Sequence, residues 1–114
     1  MKSLIIINDP PYGTERLYNG LRLAHALIKR DHEVTVFLMA DAVNGAKRGQ
    51  KTPEGFYNVE RMVRRVTTRG RVWLCGTCMD ARGLGDDDIL DGAERRTMDA
   101  LAEATEQADK VLIF

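Results

Sequence analysis

The apolar residues fall in short unbroken runs separated by amphipathic stretches. Leu4-Ile5-Ile6-Ile7 is the first run, and its lack of polar alternation fits a strand covered on both faces. Asp9-Pro10-Pro11-Tyr12-Gly13-Thr14 follows; two prolines remove backbone donors and fix φ, so this stretch is a loop. From about Glu15 to Arg30, Leu17, Leu21, Ala24, Leu27 and Ile28 recur at helical spacing, with Thr14 placed to cap the helix. Asp31-His32 makes a turn into a second strand, Val34-Thr35-Val36-Phe37-Leu38.

Asp41 to Ala46 reads as a short helix, and Lys47 to Gly55, with Gly49, Pro53 and Gly55, as a mobile loop. Asn58 can cap a helix that carries Val59, Met62, Val63 and Val66 and ends at Gly70. Val72-Trp73-Leu74 suits a third strand running into Cys75, after which Gly76 and Thr77 are expected to break it into a turn. Met79 to Leu84 reads as one helical turn, and Asp86-Asp87-Asp88 as an acidic segment suited to a helix N-terminus. Ala93 to Ala108 is helical by composition, with Met98, Leu101 and Ala104 or Thr105 inward, and Val111-Leu112-Ile113-Phe114 closes the chain as a last strand. Strands alternating with helices predict one α/β domain over residues 1–114: a three-layer sandwich with a mainly parallel sheet and helices on both faces.

Composition narrows the function classes. Hydrophobic residues make up 44% and charged residues 30%, as in a soluble globular protein. The 17 basic and 17 acidic residues cancel, so no global field steers the chain onto nucleic acid or an anionic membrane. Leu4 to Ile7 is too short for a secretory core or a membrane span, which points to the cytoplasm. In that reducing compartment two close cysteines are seldom a structural staple; they are more often catalytic, redox-active or metal-binding.

In parallel α/β sheets the loops after the strand carboxyl ends form the ligand crevice. Three loops qualify: Asp9 to Thr14, Met39 to Gly45 and Cys75 to Leu84. The third holds both cysteines, Cys75 and Cys78, three apart. A Cys meeting the start of a following helix gains thiolate character from the aligned N–H groups. Arg82 either supplies a positive charge to a thiolate or persulfide, or pairs with Asp80 or one of Asp86 to Asp88. Cys78 has three readings: it resolves a Cys75 persulfide by disulfide formation, it forms a Cys-x-x-Cys redox pair, or it is a small buried hydrophobe. Tyr12, Gly13 and Thr14 on the first loop and Asp41 and Asn44 on the second are candidate pocket residues; the alternative is capping and turn-fixing by Thr14, Asp41 and Asn44, with Tyr12 packed on the prolines.

Other chemistries lack support. Only His25 and His32 accompany the cysteine pair, so the four ligands of a structural zinc are missing from one chain, and no metal is assigned. Neither G-x-G-x-x-G nor G-x-x-x-x-G-K occurs, and no organic cofactor is implied. No Ser/His/Asp set is evident. Lys47-Arg48-Gly49-Gln50-Lys51 is either a solvated loop, a docking surface for an acidic partner, or a lid anchored by Phe56 and Tyr57.

Taken together, Pro11-Tyr12-Gly13-Thr14 after the first strand, Asp41-Ala42-Val43 after the second, and Cys75 with Arg82-Gly83 after the third resemble the DsrE/DsrF-like family, which includes the TusD-type sulfur-relay subunits. The stretches from Ala46 to Asn58 and from Cys75 to Leu84 are similar to a small stand-alone DsrE-like subgroup. The resemblance implies an α/β sandwich that assembles into homotrimers or homohexamers. It also implies a sulfurtransferase-type activity in which one cysteine, matching Cys75, carries sulfur as a persulfide between donor and acceptor proteins. Cys78 departs from the TusD-type pattern. A thiol-disulfide redox protein using both cysteines, and a non-catalytic oligomeric binding module, stand as alternatives.

Overall fold

A computed structural model describes residues 1–114. Five strands form one sheet in the order β4-β3-β2-β1-β5. They are β1 (Lys2–Ile7), β2 (Glu33–Leu38), β3 (Arg71–Cys75), β4 (Ala93–Arg96) and β5 (Lys110–Ile113). Every strand pairing is parallel. One isolated antiparallel bridge joins Lys47 to Ile89 outside the sheet.

The alternation of side chains along each strand divides the core in two. Ile5, Ile7, Val34, Val36, Leu38, Val72 and Leu74 face α1 (Arg16–Lys29) and α2 (Val59–Arg69), which fill that side with Leu17, Leu21, Ala24, Val63 and Val66. Leu4, Ile6, Phe37 and Cys75 face the other side, covered by Leu101 of α4 (Met98–Gln107). Cys75 thus lies on the face that a single ten-residue helix covers.

The expected elements hold in the first 75 residues, with local differences. The N-cap of α1 is Glu15, which makes no side-chain cap, while the Thr14 hydroxyl accepts from the Arg16 N–H at 3.3 Å. Asn58 does cap α2, accepting from the Arg61 N–H at 3.1 Å. Ala40–Ala46 is a 3₁₀ helix. The Lys47–Gly55 stretch is pinned by Gln50, whose amide donates to the carbonyls of Gly45 and Lys47 and whose N–H donates to Glu60. Gln50 at its centre supplies bonds, from side chain and backbone, to a loop without regular backbone pairing.

Larger differences follow Cys75. No turn separates β3 from the next helix: α3 (Gly76–Ala81) begins at once with Cys75 as its N-cap. The expected helix over Ala93 to Ala108 is two elements, β4 and then α4, with Thr97 capping α4 by accepting from the Ala100 N–H at 3.2 Å. An edge strand bonds on one side only and tolerates the charged Glu94-Arg95-Arg96, which also discourage a further strand from adding. Met98, expected inward, is 56% exposed, because the helix starts there at the rim of the sheet.

Candidate functional site around Cys75

Cys75 closes β3 on the α4 face of the sheet. It is 7% exposed, so its sulfur is reached through the cavity beside it rather than from open surface. As N-cap of α3 it accepts the Cys78 N–H on Sγ at 3.4 Å. Cys78 stands one helical turn further on, and its Sγ accepts the Ala40 N–H at 3.1 Å. Ala40 adopts φ 51°, an uncommon conformation for a residue with a Cβ. That twist at the end of β2 aims its amide at the sulfur. Both thiols are free.

The surroundings differentiate the two sulfurs. Burial pushes the Cys78 thiol above its ordinary value; the adjacent Cys75 sulfur acts in the same direction, while the Ala40 amide and the Arg82 charge pull back. Cys78 is therefore held as a neutral thiol near pH 7. Arg82 ends α3 and is not among the residues lining the cavity over Cys75. Its Nε donates to Asp41 at 2.7 Å and its Nη1 to the Cys78 carbonyl at 3.1 Å. Its ion-pair partner is thus neither Asp80 nor any of Asp86 to Asp88, because the 3₁₀ helix brings Asp41 closer.

A cavity of about 570 Å³ opens over Cys75. Its lining includes Met39, Thr77, Cys78, Arg95, Arg96 and Met98. Arg95 donates to Asp80 at 2.6 Å, a bond that holds it more firmly protonated, with smaller attraction from Asp86 and Cys75. Arg96 lays its guanidinium over the Trp73 ring at 4.4 Å. The sequence placed only Arg82 near the chemistry and missed Arg95, Arg96, Thr97 and Met98. Had Glu94-Arg95-Arg96 been read as a strand with Thr97 as the next N-cap, the rule of carboxyl-end loops would have included this fourth segment.

The remaining candidates lie elsewhere. Tyr12, Gly13 and Thr14 do not line the cavity. Tyr12 stacks on Tyr57 at 5.6 Å and its hydroxyl accepts the Val59 N–H at 3.0 Å, fastening the start of α2. Gly13 packs on Pro10, and Thr14 donates to Asp9 at 2.6 Å. Asn44 donates to the Asp41 carbonyl at 3.2 Å. With the Asp41–Arg82 pair, this ties the 3₁₀ helix to α3 behind Cys78. No three His, Cys, Asp or Glu side chains converge on one point. His25 bonds the Met62 carbonyl at 2.9 Å and His32 the Ser3 hydroxyl at 2.8 Å. No helix is long and apolar enough to cross a membrane.

Comparison with known proteins agrees with this architecture. The sequence profile of the DsrE/DsrF-like family matches residues 1–114. Protein YchN of Escherichia coli K12 is 45% identical over 116 residues, spanning 99% of this chain and 98% of its own. Sulfurtransferase TusD of Salmonella typhi is 27% identical over 128 residues and spans both chains completely. The crystal structure of the E. coli ychN protein superposes with a TM-score of 0.95 at 44% identity, covering 100% of this chain and 99% of that one.

Proposed function

The chain belongs to the DsrE/DsrF-like family, and from that premise we propose that it carries sulfane sulfur as a persulfide on Cys75 and hands it to a thiol of a partner protein. The observation that carries the reading is the placement of Cys75. It ends a central strand, opens into a cavity lined by Arg95 and Arg96, and is bonded by a backbone N–H. The distant relationship to a sulfurtransferase supports the same reading.

Two displacements make up the cycle. The Cys75 thiolate attacks the outer sulfur of a donor persulfide; the donor S–S bond breaks and the donor leaves as its thiolate. A partner thiolate then attacks the outer sulfur of the Cys75 persulfide, that S–S bond breaks, and the Cys75 thiolate is restored. The proton on the outer sulfur travels with it, and no oxidant or organic cofactor is needed. Met39 and Met98 at the cavity mouth offer soft apolar contacts to an incoming partner. Cys78, Arg82, Asp41 and Asn44 position the start of α3, while Tyr12, Gly13 and Thr14 fasten the helices on the opposite face. The carrier works in the cytoplasm as a homo-oligomer, a trimer or hexamer, between donor and acceptor proteins.

A second reading draws on the Cys78 N–H bonded to Cys75 Sγ, an arrangement that also suits a thiol-disulfide redox pair. Intact-mass analysis after exposure to a persulfide donor separates the two. The carrier gains the mass of one sulfur atom, keeps that gain in Cys78→Ser and loses it in Cys75→Ser. Loss of two hydrogens in wild type, with no sulfur retained on either thiol, overturns the carrier in favour of the redox pair.

A further inference from the structure

Gly76, the first residue of α3, lies beneath the Arg95 side chain. A Cβ built on Gly76 would stand 2.9 Å from Arg95 Nε and 3.2 Å from its Cγ and Cζ. Its backbone is helical and outside the left-handed region, so no special φ demands glycine here. What glycine provides is space, and Arg95 occupies it. The guanidinium is thereby laid against the helix start beside Cys75. Asp80 holds one corner through Nη2 at 2.6 Å, while Nε and Nη1 make no hydrogen bond. Arg95 and Arg96 follow one another in β4, in register with Leu74 and Cys75. Their side chains leave opposite faces of the sheet, Arg96 on the Cys75 face and Arg95 on the Leu74 face, from which Arg95 reaches the cavity across Gly76 at the start of α3. Arg96 is committed to the Trp73 ring and Arg82 to Asp41. Arg96 also has donors without partners, but its guanidinium lies against the Trp73 ring with Nε buried. Arg95 keeps Nε and Nη1 free at the start of α3, and the charges lining the cavity are two arginines against the single Asp80.

We infer that Arg95 is a specificity-determining residue that holds the negative end of an anionic sulfur donor over Cys75, so that the site takes anionic electrophiles in preference to neutral ones of the same shape. The inference rests on Cys75 being the reactive thiol. In the displacement, the new bond forms from Cys75 Sγ to the sulfane sulfur and the old S–S bond breaks toward the donor. Charge already on the donor, and the electron pair arriving on its leaving atom, then both lie beside Arg95.

Iodoacetate and iodoacetamide test the preference without requiring sulfur transfer. Each alkylates a thiolate with loss of iodide, and the two differ by one negative charge at nearly equal size. Their rate ratio is read at Cys75 by fragment-resolved mass spectrometry. The wild-type ratio is expected to exceed that of free cysteine by roughly threefold or more, as one nearby unit charge at intermediate dielectric implies. Arg95→Gln should bring the ratio down to the free-cysteine value, and Arg95→Lys should keep most of the preference. Gly76→Ala should lower it with the fold intact, since only the end of a flexible side chain has to move. An unchanged ratio in Arg95→Gln and Gly76→Ala overturns the role of Arg95 while leaving the persulfide carrier standing. A Cys75 that neither reagent modifies in the folded protein overturns both.

Discussion

Cys78 is the residue whose surroundings say most about its role. Its half-buried sulfur is bonded by the Ala40 amide and lies beside Cys75, and desolvation dominates in raising its pKa. A thiol kept neutral attacks poorly, so in the proposed carrier Cys78 would not compete for a persulfide on Cys75 near pH 7. The same shift bears on stability. The folded state binds the Cys78 proton more tightly than the unfolded chain, whose thiol titrates near 9.0. That contribution is fully present below the unfolded value and disappears as pH rises through the folded one. Under reducing conditions, wild type should lose more stability than Cys78→Ser between about pH 7.5 and pH 10, read as the shift in urea midpoint. Equal losses would show that the sulfur is better solvated than its contacts imply.

Helices and strands differ in how far each could be read in advance. The runs Leu4 to Ile7 and Val34 to Leu38 were legible because a central parallel strand is apolar on both faces. The first two helices were legible because their apolar stripes face one core. β4 was hidden for the opposite reason: Ala93-Glu94-Arg95-Arg96 is an edge strand with nothing apolar beyond Ala93. Its identity comes from pairing with β3, a tertiary fact absent from local propensity. The cost was one wall of the candidate site, since Arg95 and Arg96 came into view only with that pairing.

The α1–α2 contact shows a related limit. His25 reads as a helix residue, yet its Nε2 bridges the helices to the Met62 carbonyl. Burial holds its pKa below 6.5; the Met62 bond opposes this, while Arg65 and Lys29 reinforce it. The folded state therefore binds this proton less tightly than the unfolded chain. The resulting stability is present above pH 6.5 and disappears as pH falls through the folded value. Wild type should lose more stability than His25→Gln on going from about pH 7.5 to pH 5, again by urea midpoint. A steeper loss in His25→Gln would remove His25 from the acid response.

Formal charge cancels over the whole molecule but not along it. Residues 16–71 hold twelve Lys and Arg against five acids, and residues 80–109 hold three against ten. Joining the basic α1–α2 side of one copy to the acidic segments of another is one way to build the proposed homo-oligomer. The α4 face offers another. There Trp73 Nε1 and Arg96 Nε are buried without hydrogen-bond partners. A cleft of about 310 Å³ separates α4 from Thr35, Arg71 and Trp73. Val111 and Ile113, in register with Leu4 and Ile6, emerge on this face 38% and 70% exposed. Magnitudes favour this second mode. An exposed ion pair contributes about 0–1 kcal/mol and is screened within roughly 3 Å at 1 M salt. Burying one large aliphatic side chain contributes about 1.5–3 kcal/mol and is not screened. The homo-oligomer should therefore keep its mass in about 1 M sodium chloride, by light scattering across a size-exclusion peak, whereas Ile113→Asp should reduce it to monomer. Dissociation by salt, with Ile113→Asp still assembled, would instead place the interface between the basic helices and the acidic segments.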